Sequence, residues 1–478
     1  MGLADTLADY FGFDEHDTDL RTETIAGITT FLAMSYIIVV NPATLAKKGD
    51  EFGGFVVEGY TYAETVQMLA VVTILASAAA ILVMAFYANR PFGLAPGLGL
   101  NAFFAFTVVG ALGVPWQTAL AAVVTEGVLF IVLTAIGARE YVIQLFPEPV
   151  KFAVGTGIGL FLALIGFQAM GVVVTDPATA VSLGNLAQNP VAVLAIVGLF
   201  FTFALYARGV TGSIIFGIIG TTVAGVALTL AGYGGGNLAA DFVTTSGFEW
   251  NQLPEAQYDI TPLAGAFIEG FQNVEALSFA LIVFTFFFVD FFDTAGTLVG
   301  VGQAGGFLDE DGDLPDANKS LMADAVGTTV GGMLGTSTVT AYIESATGVE
   351  EGGRTGMTAL VIAILFLVSL VFVPFAAVIP QYASHIALVV IGVIMLGNVT
   401  GIDWNDLTYA IPAGLTILVM PFTYSIAYGI AAGIVSFPIV KTAVGEYDEV
   451  SLGQWLLAAA FVVYFFVRTS GILQSTVA

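Results

Sequence analysis

The sequence predicts an all-α polytopic membrane protein with fourteen transmembrane segments, arranged as a 7+7 inverted repeat. Three observations predict it: a strongly apolar composition, a series of apolar segments long enough to cross a bilayer, and two interrupted segments at matching positions of the two halves. Of the 478 residues, 57% are hydrophobic and 10% are charged, whereas soluble domains carry about 25% charged residues. The mean hydropathy is +0.93. The chain is therefore predicted to be an integral membrane protein.

The apolar segments follow one another along nearly the whole chain. A helix needs about 20 apolar residues to cross a bilayer, and fewer where it is short or broken. A further apolar stretch at 452–467 is predicted to be an interfacial helix, with a fifteenth span as the alternative. The fourteen predicted spans, numbered in chain order, are 24–45, 66–88, 94–112, 116–138, 150–174, 191–207, 211–232, 274–301, 320–336, 338–350, 356–380, 384–401, 407–422 and 424–441.

Basic residues indicate how these spans are oriented. Most of them follow even-numbered spans, so they share one face of the membrane, and Arg21 before span 1 agrees. Lys47 and Lys48 are the exceptions. Because loops rich in Lys and Arg stay in the cytoplasm, both termini are expected there, in a protein of the plasma membrane. The basic residues on this face are Arg90, Arg139, Lys151, Arg208, Lys319, Arg354 and Lys441.

The charge balance excludes several classes of partner. With 37 acidic and 11 basic residues the formal net charge is −26, which argues against nucleic acid and anionic lipid headgroups as partners. Such an excess of acids fits a high-salt organism, because concentrated ions screen the repulsion between them. The chain has no cysteine and two histidines, too few for a zinc site, so neither a metal nor a cofactor is expected. The binding chemistry is expected to rest on oxygen atoms.

Two spans are poor uninterrupted helices. Span 3 contains GLAPGLGLNAFFAF, with Pro and Gly at its start, and span 10, GTSTVTAYIESATG, is short and rich in hydroxyl-bearing and β-branched residues. Non-helical backbone at membrane depth needs surrounding protein or a water-filled cavity to satisfy its amides. Spans 3 and 10 are seven apart, which is the pattern of an inverted repeat of seven spans with the binding site at the breaks.

Span 8 carries two acidic residues inside an apolar segment. Asp290 and Asp293 lie in the stretch FTFFFVDFFDTAGTLVG. An acidic group at the bilayer centre costs at least about 2.5 kcal/mol, so such residues usually face a cavity and hold a ligand or a proton. The two acids therefore favour a transporter, not an enzyme.

Five blocks of sequence, in this order, are AGITTFLAMSYIIVVNP (26–42), GLAPGLGLNAFFAFTVV (93–109), FVDFFDTAGTLVGV (288–301), TSTVTAYIESATGVEEGGRTG (336–356) and MPFTYSIAYGIAAG (420–433). They resemble the AzgA-like purine permeases, the adenine, guanine and hypoxanthine permeases of the nucleobase/cation symporter family. The resemblance runs from about residue 20 to residue 445. It implies the uracil-transporter-like fold, in which a core domain moves against a gate domain and short antiparallel strands of spans 3 and 10 meet at the centre of the core.

The same resemblance implies a division of the chain into domains. Spans 1–4 and 8–11 would form the core, and spans 5–7 and 12–14 the gate. The implied parts are a cytoplasmic N-terminus at 1–23, core at 24–138, gate at 150–232, an external loop at 233–273, core at 274–380, gate at 384–441, and a C-terminal tail at 442–478.

A purine has apolar faces and an edge of N–H donors and ring-nitrogen acceptors. Its site needs carboxylates to accept N–H bonds, amides to serve the ring nitrogens, and an aromatic face for stacking. Asp290 and Glu344 match the positions where relatives hold the base, so the resemblance implies them as paired acceptors. The alternative is that both acids only bond to neighbouring helices.

Further residues are expected to complete the site. Asn101 would contribute an amide, Ala102 a backbone N–H and Phe103 a stacking face, although Asn101 could also only cap a half-helix and Phe103 could only pack. Thr294 lies one helical turn after Asp290 and therefore on the same face. Asp293 is expected to be either the proton-linked partner of Asp290 or a structural acid that ties the core spans together.

Proton symport is the implied mechanism, because a carboxyl group at mid-membrane can load a proton on one side and release it on the other. Sodium is the alternative coupling ion, since carbonyl groups of the broken spans and a carboxylate could coordinate it. The core is expected to slide against the gate, with the glycine-rich segment GTGIG at 155–159 allowing close contact. A homodimer is possible.

Other classes of protein remain as alternatives. A transporter of another nucleobase or neutral heterocycle comes next. An anion transporter of the same architecture would need basic residues at its centre, whereas this centre is acidic. An intramembrane aspartyl protease would pair two membrane acids but carries a GxGD element, and the nearby GD, Gly312-Asp313, falls in a hydrophilic loop. A channel would show acidic rings or repeated filter motifs.

Overall fold

The computed structural model describes residues 2–49, 52–137, 146–233, 238–252, 254–272, 274, 276–309 and 314–469. The α-helices are α1 (Leu3–Phe11), α2 (Leu20–Met34), α3 (Ile37–Leu45), α4 (Tyr62–Val83), α5 (Leu98–Ala102), α6 (Trp116–Ala135), α7 (Glu148–Ala169), α8 (Pro190–Ala207), α9 (Ser213–Leu230), α10 (Phe267–Gly270), α11 (Ala276–Gly305), α12 (Ala317–Leu334), α13 (Ser345–Glu350), α14 (Gly356–Val368), α15 (Val373–Ala376), α16 (Gln381–Ser384), α17 (Ile386–Met395), α18 (Leu407–Thr423), α19 (Ile426–Ala443) and α20 (Leu452–Thr469).

Short strands and tighter or wider helical turns complete the chain. The strands are β1 (Leu94–Pro96), β2 (Val173–Asp176), β3 (Ala180–Leu183), β4 (Val243–Thr244), β5 (Gly247–Phe248) and β6 (Val339–Ala341). Two π-helical segments, Met84–Ala88 and Phe103–Ala111, extend α4 and α5. The 3₁₀ turns are Leu186–Gln188, Trp250–Gln252, Ser369–Phe372, Leu396–Gly401 and Tyr447–Glu449.

Ten helices in the described ranges are long and apolar enough to cross a membrane. Four predicted spans are not among them. Spans 3 and 10 are broken into strand and helix, span 13 is the shorter apolar helix α18, and span 9 is α12, whose sequence ANKSLMADAVGTTVGGML is too polar. The protein is thus a mostly helical membrane protein, and the count of fourteen spans stays a prediction. The ten are Leu20–Leu45, Tyr62–Ala88, Trp116–Ala135, Glu148–Ala169, Pro190–Ala207, Ser213–Leu230, Ser278–Gly305, Gly356–Ala376, Gln381–Gly401 and Ile426–Ala443.

The two interrupted spans meet, as the sequence predicts. β1 pairs with β6 in antiparallel register, with Leu94 opposite Ala341 and Pro96 opposite Val339. Proline is tolerated because it ends its strand and has no amide to leave unpaired. At Gly97 a side chain is excluded, since a Cβ there would overlap the methyl group of Thr340. The pair therefore places two helix starts, those of α5 and α13, at one point inside the protein.

The long helices pack in two groups. The first group is α2, α4, α6, α11, α12 and α14, which pack mainly against one another and enclose the β1–β6 pair. The second group is α7, α8, α9, α17, α18 and α19. Contacts of α5 with α7 and of α2 with α9 join the two groups. A polar site at the strand pair is thereby buried in the first group, with one side turned to the second.

The glycine-rich segment 155–159 serves a different contact from the one predicted. Two of its glycines pack against Met420 and against the carbonyl oxygen of Gly392, both of which belong to the second group, as does the segment itself. Ile158 from this segment reaches across, to Gly99 in α5. The prediction that these glycines form the sliding surface between the two halves is therefore wrong, because their close approach builds the interior of one group.

Some predicted features lie outside the described residues. They include Arg139, the predicted end of span 4, Gly312-Asp313, and parts of the loop at 233–273. The helix predicted at 452–467 is present as α20 and packs against α19. Its placement on or across the membrane stays a prediction.

Candidate functional site

A cavity of about 510 Å³ lies beside the strand pair, between the two helix groups. Its volume falls within the range of small-molecule sites. One wall comes from β6, the start of α5 and the middle of α11; the opposite wall comes from the α8–α9 connection and α17. Polar and aromatic residues of the first wall are Thr29, Tyr36, Asp293, Thr297, Thr340, Tyr342, Glu344 and Thr347.

Four carboxyl groups line this cavity, and two of them, Asp293 and Glu344, are partly buried, whereas Glu350 and Glu351 are exposed. Asp293 comes from α11, and Glu344 lies in the short segment between β6 and α13, immediately before α13. The hydroxyl of Tyr36 donates to Oε1 of Glu344 over 2.6 Å, and Oγ1 of Thr340 lies 3.5 Å from Oδ2 of Asp293. The described lining residues include no Lys, Arg or His. The cavity wall therefore presents acceptors without a compensating basic side chain.

Backbone bonds around the strand pair hold Glu344 in place. The hydroxyl of Tyr342 donates to the carbonyl oxygen of Pro96 over 2.6 Å. Its amide donates to the carbonyl of Gly93, and the amide of Gly93 donates to Oγ of Ser345, each over 3.0 Å. Bonds on both sides of Glu344 thus tie this short segment to β1, so the carboxyl group has little freedom to leave the cavity wall.

The structure places five predicted site residues away from the cavity. Asp290 is completely buried, as are Thr294, Asn101 and Ala102, and Phe103 is almost so. Oδ1 of Asn101 accepts from Ser337, and the ring of Phe103 packs edge-on against Phe286 at 4.8 Å. None of the five is among the described lining residues. Their direct contact with substrate stays a prediction that this arrangement does not favour, because α5 turns into the protein interior after Gly99.

Asp290 instead meets two other acids. The carboxyl groups of Glu126 in α6 and Asp324 in α12 both lie within hydrogen-bonding reach of Asp290. All three side chains have no exposed surface. Sequence reasoning does not single out Glu126 and Asp324. The signal that could have found them is an acid in or near an apolar segment, which is the signal that marks Asp290.

Sequence reasoning also missed three residues of the cavity wall. Tyr36, Thr340 and Tyr342 lie within the quoted blocks, but no spacing rule marks them. The rings of Tyr36 and Tyr342 lie 6.5 Å apart on the same wall. They provide the aromatic surface that Phe103 was expected to supply.

A fourth buried acid, Glu23 in α2, has a different environment. It accepts hydrogen bonds from the amide of Arg354 (2.9 Å) and from the amide (3.1 Å) and hydroxyl (2.6 Å) of Thr358. The carboxylate thus satisfies free N–H groups at the start of α14, where helix geometry leaves them without acceptors. Glu23 is a structural acid, in contrast to the carboxyl group of Asp290.

Taken together, discontinuous segments meeting beside a buried cavity define the class of polytopic membrane transport proteins. The fold itself is similar to two solved transporters. It matches the transmembrane domain of the cyanobacterial bicarbonate transporter BicA with a TM-score of 0.59 at 16% identity, over 87% of this chain and 97% of that one. It matches SLC26A9 with a TM-score of 0.55 at 11% identity, over 90% of this chain and 66% of that one. At these identities the likeness concerns the fold alone.

The chain belongs to the Permease family (Xan_ur_permease), whose pattern matches residues 21–432. A permease of Methanocaldococcus jannaschii is 44% identical over 95% of this chain and 97% of the relative. The guanine/hypoxanthine permease PbuO of Bacillus subtilis is 38% identical over 96% of this chain and 99% of the relative. The adenine permease AdeQ of Escherichia coli is 36% identical over 96% of both chains.

Proposed function

We propose that this protein is a secondary transporter that imports purine nucleobases, adenine, guanine or hypoxanthine, across the plasma membrane. The observation that carries the proposal is the pair Asp293 and Glu344, which face one cavity of suitable size beside the strand pair. Relatives that align over almost their whole length are named as guanine/hypoxanthine and adenine permeases, which supports the same substrate class.

The cavity wall matches the chemistry of a purine. Carboxylate oxygens of Asp293 and Glu344 can accept N–H bonds from the ring and its exocyclic amine. The start of α5 at Leu98 and Gly99 lines the cavity, and the first N–H groups of a helix have no intrahelical acceptor, so they can donate to ring nitrogens or a carbonyl oxygen. Tyr36 and Tyr342 supply apolar faces that a planar base can contact.

This assignment exchanges the roles expected for the two acids of α11. Asp293 faces the cavity and becomes the substrate acceptor beside Glu344. Asp290 lies behind it among other carboxyl groups, which suits a proton-linked acid better than a substrate contact. Asn101, Ala102, Phe103 and Thr294 then act as support for the wall.

Anion transport is the function that the fold likeness alone would suggest. The solved relatives carry the names of a bicarbonate transporter and an anion transporter. Against it, the described wall of this cavity bears Asp293, Glu344, Glu350 and Glu351 and no basic residue. Like charges in a site of low dielectric repel strongly, so the acidic wall favours a neutral base with N–H donors.

The proposed movement is of the elevator type. The proposed core corresponds to the first helix group and the proposed gate to the second, in a fourteen-span inverted repeat, and the cavity lies between them. The cavity wall includes residues 209–213 and 350–351, next to the basic residues Arg208 and Arg354. By the positive-inside rule this end is cytoplasmic, so the described state would be open inward, with both termini on the same side.

Uptake in a host that lacks its own purine permeases tests this proposal. Cells expressing the protein should accumulate labelled adenine, guanine or hypoxanthine, and accumulation should stop with a protonophore if the coupling ion is a proton. Uracil should compete weakly, because a pyrimidine lacks the second ring and leaves polar groups of the site unpaired. Uptake of bicarbonate but of no purine would refute the proposal; purine uptake that follows a sodium gradient and ignores the protonophore would replace only the coupling ion.

A further inference from the structure

Behind the cavity wall lies a second acidic site, formed by Glu126, Asp290 and Asp324. The three come from α6, α11 and α12, and none has exposed surface. Asp290 lies within hydrogen-bonding reach of both other carboxyl groups. The helices are tightly packed here, since a Cβ added at Gly127 would lie 2.6 Å from Oγ1 of Thr329. The helices α6 and α12 thus approach closely beside Glu126.

The hydrogen bonds available to this cluster do not suffice for three carboxylates. No hydroxyl, amide or basic group of the described residues donates to either oxygen of Asp290 or of Glu126, and Oδ2 of Asp324 is equally without a donor. A buried carboxylate without donors is strongly destabilising. Two carboxyl groups in contact can bond to each other only when one of them carries a proton, since ionised carboxylates are acceptors only.

A hydroxyl group is aimed at the cluster as well. Oγ1 of Thr338 is buried, lies beside the carboxyl group of Glu126, and has no partner among the described residues. Among the residues that the structure describes, the other charged or titratable side chain facing the cluster is Asp293 from the cavity side, which lies near both Asp290 and Asp324. Every such group is therefore acidic or neutral, so a proton is the small positive ligand that these residues lack.

Two threonine hydroxyls connect the cluster to the cavity. Oγ1 of Thr294 donates to Oδ1 of Asp324 over 2.8 Å and lies 2.8 Å from Oγ1 of Thr340. Oγ1 of Thr340 in turn lies 3.5 Å from Oδ2 of Asp293. The four side chains form a continuous row from the buried acids to the acid on the cavity wall.

We propose that the coupling proton is held by the cluster Glu126–Asp290–Asp324, not by the carboxyl groups that face the substrate. The hydrogen bonds of Thr294 and Thr340 then link the protonation of the cluster to Asp293. This inference rests on the proposed function as a purine transporter. One proton enters the cluster while the cavity is open to the outside and leaves it when the cavity is open to the inside.

The relay follows from the single proton of each hydroxyl group. When Asp324 is ionised, Thr294 donates to it and Thr340 donates to Thr294, so Asp293 receives no hydrogen bond. When Asp324 carries the proton, it donates to Thr294, Thr294 donates to Thr340, and Thr340 is free to donate to Asp293. That bond holds Asp293 as an ionised acceptor for a purine N–H. Proton and purine therefore favour each other's binding, and by linkage the effect is reciprocal.

Equilibrium binding of labelled adenine, guanine and hypoxanthine to the purified full-length protein, between pH 6 and 8, tests the relay. One coupled proton changes the purine affinity by up to about tenfold per pH unit, with tighter binding at lower pH. Glu126→Gln should bind purine with an affinity that no longer changes with pH, because its amide gives Asp290 the hydrogen bond that the proton otherwise provides. A pH dye in weakly buffered solution should then record loss of proton uptake on purine binding.

Asp324→Asn is a second variant, at the other end of the cluster, and its purine affinity should likewise no longer change with pH. It tests the proposal on its own if Glu126→Gln does not reach the membrane. Glu23→Gln is the matched control: it changes a buried glutamate that has its own donors, so wild-type pH dependence should persist. If the cluster variants keep the pH dependence and proton uptake of the wild type, or if wild-type affinity is flat between pH 6 and 8, the proposal is overturned. A wild-type protein that binds none of the three purines overturns the proposed function instead.

Discussion

Asp290 and Asp293 are three residues apart on one helix, yet they have different neighbours. A step of three residues turns an α-helix by about 300°, so the two side chains point roughly 60° apart. That rotation is enough to place Asp290 against Glu126 and Asp324, and Asp293 on the cavity wall beside Thr340. Identical side chains on one helix thus lie in different environments.

The first prediction concerns the acid on the cavity wall. Asp293→Asn should lower purine affinity by more than tenfold, since a hydrogen bond to a charged group contributes about 1.5–3 kcal/mol. Glu344→Gln should act in the same direction. Equilibrium binding of labelled purine to purified protein measures both. Glu350→Gln is the control, because it removes an exposed charge at the cavity mouth. Wild-type affinity in Asp293→Asn would return the acceptor role to Asp290.

At this scale the sequence predicted which side chains share a helix face, but not which face lines the cavity. It predicted correctly that Thr294 shares the side of Asp290, since both meet Asp324. It could not predict that this side faces away from the cavity, because the orientation depends on α6 and α12, which pack on α11 from distant parts of the chain. Glu344 lies on the cavity wall, in the broken segment between β6 and α13.

At the scale of elements, the β1–β6 pair depends on α12. The hydroxyl of Thr328 donates to the carbonyl of Val339 over 2.9 Å and accepts from its amide over 3.2 Å. Pro96, opposite Val339, has no amide to offer. A side chain from the neighbouring helix thereby completes the hydrogen bonding of the strand.

The second prediction tests this support. Thr328→Val keeps the shape of the side chain but leaves two buried backbone groups unpaired, at a cost of about 1–3 kcal/mol each. The thermal midpoint in detergent should fall and purine binding should weaken. Thr329→Val is the matched control, because the hydroxyl of Thr329 bonds only within its own helix, to Ala325. Equal effects of the two substitutions would show that Thr328 gives the strand no special support.

The sequence predicted elements well where the composition breaks a helix. It predicted them less well where the packing partner of a helix depends on close contact. Proline and glycine at the start of span 3 and the hydroxyl-rich span 10 predicted the breaks correctly, and the family resemblance implied the strands that meet there. The glycines of 155–159 predicted a close approach but not its partner. Small residues permit contact with any surface, and here that surface is Gly392 and Met420 of the same group.

At the scale of the whole molecule, the cavity lies between two helix groups joined by few direct contacts. One of these contacts is close, since a Cβ added at Gly99 would lie 2.8 Å from Cγ2 of Ile158. Movement of one group against the other must break it. Because the chain has no cysteine, introduced pairs can be cross-linked without background.

The third prediction uses such pairs. Oxidation of Gly99→Cys/Ile158→Cys should stop transport, and reduction should restore it, because the disulfide fastens the proposed core to the proposed gate. Gly166→Cys/Val389→Cys is the control pair: a Cβ at Gly166 would lie 2.6 Å from Cγ2 of Val389, but both residues belong to the second group. Uptake before and after oxidation measures the effect. Continued transport by the cross-linked first pair would exclude sliding at this contact.

The strand pair also sets a schedule for biosynthesis. Pro96 in β1 cannot pair until Val339 in β6 has been synthesised. At about 5–20 residues per second the ribosome needs roughly 12–48 s to make the chain between them. During that interval the interrupted third segment has peptide groups at membrane depth that only the second half of the chain can satisfy. The N-terminal half released alone should therefore be retained by insertion factors or degraded, whereas co-expression of the two halves as separate chains should rescue it.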